Sequence, residues 1–193
     1  MRRELARKAI HVSSAALPLL VWLVPRGAAV AVLVPLAAAA VAIDVTRLRW
    51  RPARYWMLRF VRPMLRHHER RRFTGATYMV VAYALAVAVF PKPVAVAAML
   101  FNGLGDAAAA LVGRRWGRHR TRSGKSWEGF AAGLAVNLAV ALAVARLDPG
   151  LAPLPAVVGA VAAAVLELLD LPVDDNLRVT LGGALAIYLS TLA

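Results

Sequence analysis

The 193-residue chain has no cysteine. That excludes a disulfide framework, a thiol nucleophile and a thiolate metal site. Acidic residues are scarce, 10 against 24 Lys and Arg, and the four histidines are scattered, so a zinc site has no ligands to draw on. Polar residues of any kind are too few for an ordinary soluble domain. Hydrophobic residues make up 61% of the chain and its mean hydropathy is +0.63, which points to a membrane protein. A cleavable leader is not expected. The first apolar run ends in Val24-Pro25-Arg26 without a small-residue cleavage site, and more apolar runs follow.

What is present is segregated. The formal charge of +14 lies between apolar stretches, not within them. Seven such stretches can be marked: Ala9–Val24, Gly27–Ile43, Thr74–Phe90, Pro93–Val112, Phe130–Ala145, Pro155–Leu169 and Leu177–Leu192. Each has about 15–20 residues, close to the ~20 needed to cross a hydrocarbon core. Their wealth of Ala and Gly suits helices that pack closely through small side chains. With the N-terminus placed inside, segments 1–8, 44–73, 113–129 and 170–178 are cytoplasmic and hold 21 of the 24 cations. The outer side keeps Arg26, Lys92 and Arg146. Lys/Arg excess marks cytoplasmic loops, so the split supports both the span count and the orientation. The expected fold is all-α and polytopic: about seven transmembrane helices in a single integral membrane domain, residues 1–193, with a cytoplasmic N-terminus.

The basic segment 45–73 is not a span. Its apolar residues interleave with ten Arg, as in one or two interfacial helices on the inner leaflet, broken near Pro52 and Pro63. Gripping anionic lipid is the simpler reading of it, lining a substrate entrance the sharper one. Nucleic-acid binding is not expected of such a membrane-bound loop.

The remaining polar residues gather at one face. Glu4, Arg7, Lys8 and His11 share a stripe of the first helix by their i, i+3, i+4, i+7 spacing. Anchoring by snorkelling side chains is the plain alternative there. Asp106 lies inside the fourth span, about 10 Å from its end at Gly113. A charge at that depth is a functional-site candidate, and packing against an Arg is the alternative. Asn102, at i−4, shares its face, while Gly103 and Gly105 weaken the helix and permit an irregular backbone. The loop 113–129 runs from Gly113 and Arg114 to Lys125, Ser126, Glu128 and Gly129. Its Gly-Lys-Ser is not a P-loop, because His119 stands where the upstream Gly belongs and no strand precedes it. A Gly-containing loop rich in Arg and Lys suits a polyphosphate. The cluster Glu167, Asp170, Asp174, Asp175 and Asn176 offers oxygen ligands suited to Mg²⁺, although helix capping explains part of it. Acids and cations around an anion are the parts of a phosphoryl or nucleotidyl transfer site, and the apolar surround suggests a lipid acceptor.

Four motifs in order, E-L-x-R-K-x-x-H at Glu4–His11, D-x-x-A-x-x-x-G at Asp106–Gly113, K-S-x-E-G at Lys125–Gly129 and D-N at Asp175–Asn176, resemble those of the CTP-dependent lipid kinases. That family includes dolichol, phytol, farnesol and CTP-dependent diacylglycerol kinases, and is distantly similar to phosphatidate cytidylyltransferases. One departure is Arg178-Val179-Thr180, where such proteins often have a Pro a few residues after D-N. The resemblance implies transfer of the γ-phosphate of CTP to a lipid alcohol, an isoprenoid alcohol or diacylglycerol, and associates Arg7, Lys8, Asp106 and Gly113 with activity. On that basis Arg7, Lys8, Asp106 and His11 are the expected catalytic residues. Gly113, Arg114, Lys125, Ser126, Glu128, Gly129 and Asn176 are expected at the nucleotide. Asp106, with Glu167 or Asp175, is expected to hold Mg²⁺, and Asn102 and Gly105 to border the substrate pocket. The partners expected are CTP, the lipid alcohol and a bilayer with anionic inner-leaflet lipid, with an oligomer left open. The place expected is a bacterial inner membrane, with the site at its cytoplasmic face. A cytidylyltransferase acting on a phosphorylated lipid and a small transporter are the alternatives.

Overall fold

The computed structural model describes residues 16–61 and 71–193. Glu4, Arg7, Lys8, His11 and Pro63 lie outside them. Among the described residues the chain is helical: α1 (Ala16–Leu23), α2 (Arg26–Arg49), α3 (Arg51–Val61), α4 (Gly75–Val89), α5 (Lys92–Leu100), α6 (Asp106–Arg115), α7 (Trp127–Leu147), α8 (Pro153–Leu168) and α9 (Asp175–Ser190). Six of the seven apolar stretches coincide with helix, and the first does so over its described part, Ala16–Leu23. Three helices are long and apolar enough to cross a membrane: Arg26–Arg49, Lys92–Arg115 and Trp127–Leu147. Gly75–Val89 and Pro153–Leu168 are apolar and shorter. The chain is an integral membrane protein.

Lys92–Arg115 is the central element, with 67% of its apolar window buried against 22% for each of the other two long helices. It is continuous but not uniform. Between α5 and α6, Phe101–Gly105 form a π-helical turn in which Phe101, Asn102, Gly103 and Gly105 are buried. The two glycines that weaken this stretch in the sequence thus fall in a widened turn immediately before Asp106, the kind of local defect that π-turns place at functional sites. Alanine is the commonest buried residue, whereas Leu20, Val32, Leu36, Ile43, Leu85, Leu142, Leu154 and Leu189 face outward. Small side chains inside and large aliphatic ones outside is the arrangement a bilayer favours, because lipid solvates leucine as well as a protein core does.

A close contact of small residues forms the hairpin α6–α7. Gly105 at the end of the π-turn and Ala109 and Gly113 on α6 recur every fourth residue, and Gly129, Gly133 and Asn137 do so on α7. The two rows meet antiparallel. A methyl at Gly129 would lie 2.6 Å from the Ala109 carbonyl oxygen, and one at Gly133 would lie 3.1 Å from Ala109 Cβ. The Ala and Gly of the D-x-x-A-x-x-x-G motif are therefore packing positions.

The second span runs further than the expected Gly27–Ile43. α2 continues to Arg49, and Asp44 and Arg47, both 1% exposed, form a buried pair beyond the apolar stretch. Asp44 Oδ1 accepts from Arg47 Nε at 2.9 Å and Nη2 at 2.6 Å. Its Oδ2 accepts from the Thr74 amide and the Thr77 hydroxyl, each at 2.7 Å, and Arg47 Nη2 also donates to the Arg72 carbonyl. Every oxygen of the buried carboxylate is used, so α2 is clamped to the start of α4. The helix then breaks at Trp50, whose extended backbone precedes Arg51-Pro52, and α3 begins. Trp50, Tyr55 and Trp56 are exposed, and the Arg59 guanidinium lies 5.7 Å from the Trp56 ring centroid. The expected interfacial segment 45–73 thus contains a helix, α3, with exposed aromatic side chains.

At the opposite end of the bundle, two of the three isolated cations cap helices. Arg26 donates to the carbonyls of Val87 (2.9 Å) and Ala88 (2.7 Å) at the end of α4, and Lys92 to that of Val24 (2.8 Å) just past α1. Terminal carbonyls left without amide partners attract such donors.

Candidate active site

The end of the bundle that carries the Trp116–Ser126 loop also carries the α8–α9 turn and the basic end of α2. A cavity of about 240 Å³ opens there, walled by α6, α7, α8, α9 and the loop. Nine of the expected residues border it: Gly105, Asp106, Gly113, Arg114, Lys125, Ser126, Gly129, Glu167 and Asp175. Three carboxylates from three helices thus face one space, with Lys125 among them. Lys125 Nζ donates to Glu167 Oε1 at 2.6 Å and also to the Glu167 carbonyl. Glu167 Oε2 is buried without a hydrogen-bond partner, and Asp106 and Asp175 are near enough for their charges to act on it. An acid so placed is costly in the membrane.

The loop is held by its own bonds. The Ser126 hydroxyl accepts from the Gly129 amide at 3.1 Å and caps α7. Gly113 and Gly117 leave room for it, since a methyl on either would sit 2.7 Å from Ser126 Oγ. The Glu128 carboxylate turns back to His119, 2.7 Å from Nδ1 and 3.1 Å from its amide. Arg120 donates to the carbonyls of Gly124 (2.9 Å) and Gly113 (3.3 Å). Gly124 has φ +85°, the left-handed turn conformation that glycine adopts without strain. Lys125 is therefore projected from a braced turn. In K-S-x-E-G the Lys reaches the cavity, and Ser, Glu and Gly shape the turn that carries it.

Three expected residues are not on the cavity wall. Glu128 serves the loop. Asn102 and Asn176 are buried and bond to each other, Nδ2 to Oδ1 at 3.2 Å. Asn176 Nδ2 also donates to the Gly75 carbonyl at 3.3 Å and to Asp174 Oδ1 at 2.9 Å. The Asn of the D-N motif ties α9 to the π-turn and to the start of α4, and leaves Asp175 on the cavity. Two wall residues with polar side chains were not among the expected ones: Arg120, one of many loop arginines in the sequence, and Asn137. Asn137 is 2% exposed on an otherwise apolar span, and that isolation is the signal that marks it.

The described residues contain no group of three or more His, Asp or Glu placed to hold a metal ion between them. Comparison with known proteins supplies the remaining constraint. No protein-family model matches the chain, and no solved structure does. An 83-residue stretch, 43% of the chain, is 28% identical to "CTP-dependent diacylglycerol kinase 1" of Schizosaccharomyces pombe (strain 972 / ATCC 24843), and covers 38% of that protein's length. The chain thus shares weak homology, over less than half of its length, with a CTP-dependent lipid kinase, and this supports the family resemblance carried by its motifs.

Proposed function

We propose that the chain transfers the γ-phosphate of CTP to the hydroxyl of a membrane lipid alcohol. The observation that carries this is the convergence of Asp106, Glu167 and Asp175 with Lys125 and Arg120 in one cavity, at the end of a bundle whose outer surface is aliphatic. A triphosphate enters from the loop side, where Lys125, Arg120 and Arg114 neutralise it. The alcohol arrives sideways between apolar helices, so its hydroxyl lies at the depth of Asp106. Its oxygen bonds to the γ-phosphorus, the bond from that phosphorus to the β-phosphate oxygen breaks, CDP leaves, and the hydroxyl proton passes to the Asp106 carboxylate. A loose transition state needs little help from a base, so positioning and charge neutralisation carry most of the rate.

The residues fit a magnesium ion in one form. The donors are all oxygen, and Glu167 Oε2 is buried without a partner. With no three-residue cluster, one or two of Asp106, Glu167 and Asp175 would hold the ion and the nucleotide phosphates would complete its shell, the usual habit of this cation. When bound it would neutralise charge on the transferring phosphate. Lys125 lies against Glu167 and so provides a cation at that position in its own right.

The test is direct. Purified protein with γ-labelled CTP, magnesium and a panel of alcohols (dioctanoylglycerol, farnesol, geranylgeraniol, a longer polyprenol) is expected to label at least one lipid. Asp106→Asn is expected to lower the transfer by about 100-fold or more while leaving the detergent-solubilised protein folded. Label entering lipid from the α-phosphate of CTP instead would replace the kinase by a cytidylyltransferase. Near-normal transfer by the variant would sink the assignment of Asp106.

A further inference from the structure

Asn137 is the polar side chain on the cavity wall that the transfer described above leaves unused. It lies on α7, ten residues beyond Trp127, about 15 Å along the helix axis. That is roughly half of a ~30 Å hydrocarbon core, deeper than the loop and level with the π-turn. Its Oδ1 is buried without a hydrogen-bond partner. The amide lies directly against Gly105, with Oδ1 its nearest atom and Cγ 2.9 Å from where an added methyl would stand, so it packs on the residue that precedes Asp106. Phe101, Gly133 and Ala164 border the same part of the cavity and bring no charge.

Leaving a buried amide oxygen unpaired costs free energy that an apolar residue of the same size would not. A carbonyl oxygen accepts a hydrogen bond and offers no proton, so its complement is an O–H or N–H donor. Ionised phosphate oxygens have none, and among the proposed ligands the lipid alcohol is the one whose donor reaches this depth of the membrane. We propose that Asn137 Oδ1 receives the hydroxyl of the lipid alcohol and fixes its depth next to Asp106, making Asn137 the residue by which the site distinguishes a free alcohol from its ester. The inference rests on the acceptor being an alcohol, as proposed above. Gly105 is part of the device, because a side chain there would displace the amide.

The experiment uses the full chain in detergent and two matched probe pairs: dioctanoylglycerol with its 3-acetate, and geranylgeraniol with its acetate. Wild-type protein is expected to be stabilised against heat by one of the free alcohols and not by the corresponding acetate. Asn137→Ala is expected to lose that distinction while keeping its stabilisation by CTP. In the transfer assay the same variant is expected to raise KM for the alcohol by about five- to tenfold, the loss of one neutral hydrogen bond, with KM for CTP unchanged. Asn137→Asp, which keeps an acceptor of the same size, is expected to retain the distinction, and it decides the matter should the alanine variant fail to fold. Wild-type protein that transfers phosphate yet treats alcohol and acetate alike would overturn the role of Asn137. So would a folded Asn137→Ala that still separates them. Wild-type protein that neither responds to CTP nor transfers its phosphate would instead overturn the kinase reading.

Discussion

Lys125 and Glu167 show how much one side chain can decide. They come from the loop and from α8, 42 residues apart, and their 2.6 Å contact closes the cavity's acidic side with a cation. Lys125 is 30% exposed and Glu167 15%, so the pair is shielded enough to matter and wet enough to exchange partners. Each has a separate part in the proposed reaction. Lys125→Ala is expected to raise KM for CTP about tenfold, worth ~1.4 kcal/mol of lost phosphate binding, with the protein still folded. Glu167→Gln keeps the shape and removes the charge. It is expected to reduce kcat more than KM, and its magnesium requirement should shift to higher concentration. Unchanged magnesium dependence in that variant would remove Glu167 from the metal's shell. The stability effects of the two substitutions should not add, because each breaks the same contact.

Helix by helix, the small residues matter more than the charged ones. The seam of α6 and α7 sets where Asp106 stands, since the acid is one residue from Gly105 and three from Ala109. Gly129→Ala would place a methyl 2.6 Å from a backbone oxygen, and a backbone cannot rotate out of the way. The expected result is a loss of about 1–3 kcal/mol, read as a lowered thermal midpoint in detergent, together with reduced transfer. Gly27→Ala is the matched control: nothing lies within 4 Å of the added methyl, so stability should be unchanged or slightly raised. At the other contact, Asp44→Asn breaks a fully buried pair and is expected to cost about 3 kcal/mol while leaving the cavity's own residues in place. The apolar stretches were legible in the sequence because span length and cation placement are written in runs, although α2 runs past the expected end at Ile43 to Arg49. The clamp at Asp44 was not, because its partners Thr74 and Thr77 are 30 and 33 residues away and only the fold brings them together. Asp106 stood out as a charge among alanines. The division of each motif into a residue that faces the cavity and residues that shape the backbone could not be read before the helices were packed.

The molecule as a whole has two unlike ends. One carries the α3 helix with its exposed Trp50 and Trp56, the braced loop, the cavity and the α8–α9 turn. The other carries short turns in which Arg26 and Lys92 are consumed as helix caps. Those two cations serve as helix caps, whereas Arg114, Arg120 and Lys125 border the cavity. The proposed function requires the cavity end to lie in the cytoplasm, where CTP is present, and the positive-inside tendency predicts the same side. The absence of cysteine makes that orientation easy to measure. A single cysteine at Ser123, at the tip of the loop, is expected to react with a membrane-impermeant maleimide only after the membrane is opened. One at Gly150, in the turn between α7 and α8, is expected to react in intact cells. Both positions are exposed, so failure to react reports the side of the membrane and not burial. The reverse pattern would put the cavity outside, away from the nucleotide, and no arrangement of Lys125, Asp106 and Glu167 would then rescue a CTP-dependent reaction.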